Sequence, residues 1–328
     1  MKLLIVGGGG LIGQAIAKKH LAEGDEVFIH DIRVNPYVDY SNMVGVDVTS
    51  GSDIDFDILS HQAALVGVGQ SQYDIHRYVT NNINVTSALL QAILKTNKMK
   101  IKILFAGSMG PYGECWKNPP SPVKETHKLS PRSIYAVTKQ TQENLIKVFS
   151  ETYDIPALSL RYFSVYSTTQ NPLNPYTGVL SIIANKLLNS DKVELFGDGN
   201  EYRDLVNVED VANAHFLASR YEWKGFDAMN VGSGSYETMR CTALEMRDMI
   251  DKSKEVIFNG KTRRGDVRGI CADISKIKKK LNWVPEHSSV GKIQEYCQFI
   301  RENKEKYTYN TDSTAVENLT LELKGLIK

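Results

Sequence analysis

The sequence predicts an α/β protein, a doubly wound parallel sheet with a smaller, discontinuous α/β lobe. Three observations lead there. The chain opens on a short apolar stretch that runs directly into a glycine-rich turn and a helix. Strand-like and helix-like stretches then alternate through about the first 160 residues, the pattern of a parallel sheet covered on both faces. Beyond Tyr162 the alternation breaks into short pieces and polar loops, the composition of a lobe that closes over a ligand.

The elements follow in order. Leu3 to Val6 form a buried strand. Gly7, Gly10 and Gly13 come next at steps of three, and Ala15, Ile16, Ala17 and Leu21 mark a helix that stops at Gly24. Glu26 to His30, Met43 to Val46 and Phe56 to Leu59 read as strands, the last running into His61-Gln-Ala-Ala64. A long helix is expected over Tyr78 to Thr96, and a strand over Ile101 to Ala106. A loop rich in proline and glycine covers Met109 to Pro131, before a helix that carries Tyr135 and Lys139 and a strand over Ala157 to Arg161. Tyr166 to Gly178 reads as a binding loop, followed by pieces at Val179–Asn189, Val193–Phe196, Tyr202–Val206 and Val208–Tyr221. The expected division is one domain over residues 1–165 with returns from 200–230, a second lobe mainly over 166–306, and a tail over 307–328.

Composition narrows the function classes. The chain has 328 residues, enough to bury a large core, and a net charge of +1. A balance so near zero gives no electrostatic reason to expect nucleic acid or an anionic membrane. The lysines from Lys276 to Lys280 read as the solvated face of a helix. Cys115, Cys241, Cys271 and Cys297 are scattered, with no Cys-x-x-Cys and no metal-ligand spacing to histidine. No metal is expected, and the thiols read as reduced in a cytoplasmic setting. No apolar run approaches the ~20 residues that span a bilayer. The chain enters a strand at once, so no leader is expected.

Two clusters carry chemistry. The glycine run lets the backbone turn tightly and approach a pyrophosphate at a helix N-terminus. Asp31, at the end of the second strand, suits the ribose 2′-hydroxyl of NAD and would repel the 2′-phosphate of NADP. Arg33 lies two residues on and leaves NADP open, since arginine receives such a phosphate. The second cluster is Ser133-Ile-Tyr-Ala-Val-Thr-Lys-Gln140, where a spacing of four sets Tyr135 and Lys139 on one helical face. A neighbouring ammonium favours a phenolate, which would make Tyr135 a general base towards a hydroxyl. Ser108, at the C-terminal end of a strand, falls where such sheets bind ligands.

Together these motifs resemble the extended short-chain dehydrogenase/reductases of the nucleotide-sugar epimerase and dehydratase group, over about residues 3–285. That family has a Rossmann-type sheet. Gly7-x-x-Gly10-x-x-Gly13 resembles its cofactor loop, Asp47-Val48 its adenine-contacting pair, and His61-Gln-Ala-Ala64 the strand end that lines the cofactor. Ser108, Tyr112-Gly113, Tyr135 and Lys139 resemble its catalytic stretch. Arg161-Tyr-Phe-Ser-Val-Tyr166, the run Gly197 to Ala212 and Arg263 to Arg268 are similar to its later elements. Gly67 to Tyr73 and Asn174 to Leu180 resemble stretches of dTDP-L-rhamnose 4-epimerase-like members.

The resemblance implies catalytic roles for Ser108, Tyr135 and Lys139. It implies contacts with a tightly held, recycled NAD at Gly7, Gly10, Leu11, Ile12, Gly13, Asp31, Arg33, Asp47, Val48, Gln62, Ala63, Ala64, Tyr135 and Lys139. Ser164, Asn174, Arg203 and Arg263 would meet a nucleotide-diphosphate sugar, the two arginines as diphosphate clamps. A homodimer through the helices of Tyr78–Thr96 and Tyr135–Tyr153 is implied as well. Departures are Val6 in place of a threonine, Ser164 in place of an asparagine, and Ser167-Thr168 in place of Gly-Pro. Met109 and Gly110 stand where the family's dehydratases carry an Asp-Glu pair, which turns the expectation from dehydration towards redox chemistry at C4. A 4-epimerase is expected; a 4-dehydrogenase or 4-keto reductase, or an idle binding protein, stays open.

Overall fold

The computed structural model describes residues 1–32, 44–45, 55–97, 99–118, 120–173, 178–287 and 289–308. Seven parallel strands form its centre. Six are β1 (Lys2–Val6), β2 (Glu26–His30), β3 (Val44–Gly45), β4 (Ile58–His61), β5 (Lys102–Ser108) and β6 (Ala157–Tyr162). After four short strands elsewhere, β11 (Phe226–Val231) returns to complete the sheet, in the order β11-β6-β5-β4-β1-β2-β3. Chain direction reverses across the sheet between β1 and β4, which opens a crevice at the strands' C-terminal ends.

Strand alternation sorts β1 onto both faces. Leu3 and Ile5 pack with Ile16 and Ala17 of α1 (Leu11–Ala22) and with Val211 and Ala214 of α7 (Val208–Arg220). Leu4 and Val6 pack on the other side against α4 (Val85–Lys95) and α5 (Ile134–Tyr153), through Leu89, Leu90, Ile146 and Phe149. A strand buried on both faces must be apolar throughout, which is why Leu3 to Val6 shows no polar alternation.

The expected helix over Tyr78–Thr96 is built differently. Turns α2 (Val68–Ser71) and α3 (Ile75–Tyr78) lead through a π-helical segment, Val79–Asn84, into α4. Asn82 explains the widened turn. Its amide brackets the Leu65 backbone, Oδ1 accepting from Leu65 N at 2.7 Å and Nδ2 donating to Leu65 O at 3.1 Å and to Thr138 Oγ1 at 2.9 Å.

The remaining elements make a second apolar core. α6 (Val179–Asn189), α8 (Met239–Ile250) and α10 (Ser289–Glu302) gather around Leu180, Ile183, Leu187, Met246, Tyr296 and Ile300. Strand β7 (Ser164–Tyr166) pairs with β10 (Leu205–Asn207), and β8 (Lys192–Leu195) with β13 (Glu255–Phe258). β9 (Tyr202–Arg203) lies between β12 (Glu237–Thr238) and β14 (Gly269–Ile270). Helix α9 (Ser275–Leu281) buries Ile277 and Leu281 and exposes Lys278 to Lys280, and α11 (Lys304–Tyr307) follows α10.

The single strand expected over Tyr202–Val206 is broken at Asp204. Its fully buried carboxylate accepts from Ser233 N at 2.6 Å, Ser233 Oγ at 2.7 Å, Ala272 N at 3.0 Å and Gly234 N at 3.1 Å. Burial raises its pKa, and these donors oppose the rise. Asp204→Ala would orphan every one of them. Urea unfolding should show a loss of about 3 kcal/mol or more, against under half that for the isosteric Asp204→Asn.

Candidate active site

At the C-terminal edge of the sheet the backbone itself shapes a cradle. Gly7 has φ +89°, and a Cβ there would stand 2.5 Å from Ala63 N. A Cβ on Gly13 would stand 2.3 Å from Gly7 O and 2.7 Å from Gly8 Cα. Gly10 caps α1 without a side-chain hydrogen bond, so the amides of Leu11, Ile12 and Gly13 open the helix with no side-chain cap. Asp31 Oδ2 accepts from Gly9 N at 2.9 Å, which holds the carboxylate beside the loop. Gln62, Ala63 and Ala64 leave β4 directly behind Gly7, and Gln62 N donates to Val6 O at 2.8 Å. Arg33, Asp47, Val48 and Asn174 lie outside the described residues.

The three residues expected to be catalytic come from two elements. Ser108 ends β5, level with Tyr162 of β6. Ser133 caps α5 by accepting from Ala136 N at 3.2 Å, which sets Tyr135 in the first turn. Gly110 brings the two together, because a Cβ there would sit 3.4 Å from both Ala136 Cβ and Ser108 Oγ. Ser108 lies close enough to the Tyr135 hydroxyl to draw its pKa down against the effect of burial.

Lys139, one turn further along α5, is only 3% exposed. Its Nζ sits 4.3 Å over the Phe105 ring and has no hydrogen-bond acceptor among the described residues. Burial depresses this ammonium to a pKa of about 7, against a rise supplied by Glu143. The expected lowering of Tyr135 by Lys139 is therefore not found. Burial raises the phenol and only Ser108 opposes it, while the lysine's own charge is disfavoured by the same dry surroundings.

Glu143 is a residue the sequence reading missed. It accepts from Arg161 Nε at 3.0 Å and Nη2 at 2.5 Å and from Ser159 Oγ at 2.6 Å, all buried. The signal was available in the spacing: Tyr135, Lys139 and Glu143 recur every fourth residue along one helical face. His61 is structural. It is buried against Thr86 Oγ1 at 2.8 Å, and burial, then the Lys139 charge, lowers its pKa to about 3.

In the second lobe Arg203 and Arg263 are brought close enough that Arg263 depresses Arg203, after burial as the larger cause. Arg203 donates to the carbonyls of Tyr202 at 2.8 Å, Val267 at 2.8 Å and Arg268 at 3.1 Å. Arg263 pairs with Asp266 at 2.9 Å and lies over the Phe196 ring. Ser164 is half-buried in β7, its N–H donating to Asp204 O.

A glycine cradle that excludes side chains, a helix start with no side-chain cap and a buried ammonium lacking an acceptor among the described residues fit a dinucleotide with a ribose diol. Such a sheet and trio define an extended short-chain dehydrogenase/reductase. The chain belongs to the NAD dependent epimerase/dehydratase family, whose model matches residues 3–232. It is 32% identical to a candidate UDP-glucose 4-epimerase of Methanocaldococcus jannaschii, over 92% of this chain and 99% of that one. It is 28% identical to the dTDP-L-rhamnose 4-epimerase of Burkholderia thailandensis, over 89% and 94%. Among solved structures, the UDP-glucose 4-epimerase of Thermotoga maritima with UDP-glucose superposes with a TM-score of 0.82 at 27% identity, covering 92% of this chain and 99% of that one. The Thermus thermophilus UDP-glucose 4-epimerase complex with NAD gives 0.81 at 28%, with the same coverage.

Two predictions follow from the packing and the charge. Gly13→Ala should abolish NAD binding measured by fluorescence, because the Cβ meets backbone. Gly24→Ala, at φ +79° with nothing within 4 Å, should cost about 1 kcal/mol of stability and leave binding intact. Lys139 titrates near 10.5 unfolded and near 7 folded. Between those values the unfolded chain holds a proton that the folded one lacks, so this group makes stability rise with pH. The slope is at most about 1.4 kcal/mol per pH unit, and Lys139→Met should remove it from urea unfolding between pH 7 and 9.

Proposed function

We propose that the protein is an NAD-dependent nucleotide-sugar 4-epimerase working through a transient 4-keto sugar. The observation that carries the reading is Ser108 close beside the Tyr135 hydroxyl, with Lys139 buried one helical turn on and without a hydrogen-bond acceptor among the described residues. The chemistry NAD supplies when bound is reversible hydride exchange at C4 of the sugar. Tyr135 removes the proton from the C4 hydroxyl as its hydrogen leaves carbon. Ser108 donates to the same oxygen as it becomes a carbonyl. Lys139 would hold the nicotinamide ribose hydroxyls and, with those acceptors relieving its own burial, would support the phenolate. Inversion requires the 4-keto sugar to turn over and take hydride on its opposite face. Met109 and Gly110 supply no acid or base for a C5 proton, which favours chemistry confined to C4.

The nucleotide diphosphate would lie along the second lobe near Arg203 and Arg263, with Ser164 beside the sugar. Arg263 is tied to the Asp266 carboxylate, and Arg203 is held by backbone carbonyls. Residues 1–165 with the returning α7 and β11 would hold NAD, and the rest of the chain the sugar nucleotide. Among the described residues no helix is long and apolar enough to cross a membrane. A homodimer is supported by Val137 and Val148, 44% and 61% exposed on one face of α5, with Val85 of α4 exposed nearby in the fold.

Purified protein incubated with UDP-, dTDP- or GDP-hexoses without added NADH should yield a C4-inverted sugar by NMR. Stoichiometric oxidation or reduction instead would overturn the epimerase reading in favour of a dehydrogenase or reductase. Tyr135→Phe should lower turnover by about a thousandfold while retaining bound NAD. An idle binding protein would be indifferent to that change. Val148→Glu should move the protein from dimer to monomer in sedimentation.

A further inference from the structure

Beneath the cofactor cradle runs a line of buried polar groups that the chemistry above does not use. Asp25, just past α1, accepts from Arg220 Nη2 at 2.7 and 2.8 Å and from the Met1 nitrogen at 2.7 Å. His20 Nδ1 lies 2.7 Å from the same carboxylate. His20 Nε2 lies 3.1 Å from His215 Nδ1 on α7, and His215 Nε2 lies 2.8 Å from Ser60 Oγ on β4. Gln62 Nε2 donates to Ser60 Oγ at 3.0 Å. His20, His215 and Ser60 are completely buried.

The direction of this chain can be deduced. Burial raises the Asp25 carboxyl, but Arg220, the Met1 nitrogen and His20 bring it down to about 2, so it can only accept. Burial lowers His20 and His215, and both are neutral at pH 7, with one N–H each. His20 must then carry its proton on Nδ1 and offer a lone pair at Nε2. His215 must donate from Nδ1 and accept at Nε2. Ser60 must donate to His215, which leaves its oxygen to receive the Gln62 amide. Gln62 Oε1 and the Tyr162 hydroxyl are both buried without a hydrogen-bond partner among the described residues. With both histidines neutral, each group's remaining role is set by the one before it.

The far end of the chain matters because of what Gln62 touches. A Cβ on Gly7 would meet Gln62 C at 2.9 Å and Ala63 N at 2.5 Å. The Gln62–Ala63 peptide is therefore the wall against which the cofactor loop turns. We propose that Asp25, His20, His215 and Ser60 form a positioning relay for the cofactor loop, holding both histidines as Nδ1–H tautomers so that the Gln62 amide and its peptide have a single orientation behind Gly7. The relay rests on the glycine loop as the NAD site and not on any choice of sugar. Charges facing His20 are Asp25, Arg220 and the Met1 nitrogen; His215 faces His20 and Ser60, with no other charged side chain acting on it among the described residues.

Two measurements test it. Long-range proton–nitrogen NMR of histidine-labelled protein at pH 7.5 should show His20 and His215 protonated at Nδ1 and bare at Nε2. Free neutral histidine favours the other tautomer, so an Nε2–H form at either residue overturns the relay without any variant. The second is exchange of bound NAD against isotopically labelled NAD in the holoenzyme. Ser60→Ala should release NAD about tenfold faster, and Ser60→Thr, which keeps the hydroxyl, should stay within about twofold of the parent. A folded Ser60→Ala that exchanges like the parent overturns the positioning role. Because exchange is read without substrate, failure here is distinct from failure of the epimerase reading.

Discussion

Burial of the Lys139 ammonium is the constraint on which the site depends. A cation 3% exposed, with no acceptor among the described residues, can be held only if something nearby offsets the lost hydration. The Phe105 ring below it and Glu143 one turn on supply that offset. Glu143 in turn would be a costly buried carboxylate without Arg161 and Ser159. Arg161 then reaches the Tyr112 hydroxyl at 2.9 Å and the Glu125 carbonyl at 3.1 Å. One functional charge thus orders a buried network running from α5 through β6 to the loop after β5.

Further hydrogen bonds tie later parts of the chain to the sheet and to its loops. Tyr112 donates to Asn230 Oδ1 at 2.6 Å, and Asn230 Nδ2 reaches back to Val123 O at 2.7 Å. Gln72 donates to Arg264 O at 3.2 Å, so the arginine-bearing turn of the second lobe rests on the sheet domain. Asp204 holds β9 and β10 to the turn at Ser233–Gly234 and to Ala272. The groups proposed as catalytic and diphosphate-facing are therefore registered by hydrogen bonds, many of them buried, with apolar packing supplying the bulk of the burial.

What could be read from the sequence was what local pattern controls. The glycine loop, β1 and α1 are contiguous, and the glycines sit where backbone packing leaves no room for a side chain. Tyr135 and Lys139 share a helical face by spacing alone, and α7 was placed to within a residue of its end. Long-range contacts defeated the rest. The break at Asp204 depends on donors 29 to 68 residues away, and the π-helical turn on Asn82 reaching Leu65. The His20–His215 contact spans 195 residues. The sign of the Tyr135 shift failed for a related reason: a spacing of four reports proximity to a cation but not the burial that disfavours the charge on Lys139 and raises Tyr135.

The central claim is that hydride leaves C4 and returns to the same sugar. A mixture of nucleotide sugar deuterated at C4 and unlabelled sugar carrying a mass tag elsewhere tests it directly, with products sorted by mass spectrometry. The account predicts that C4-inverted product keeps its deuterium, with no crossover into tagged molecules and no loss to water. Deuterium washed into solvent, or scrambled between sugars, would contradict it.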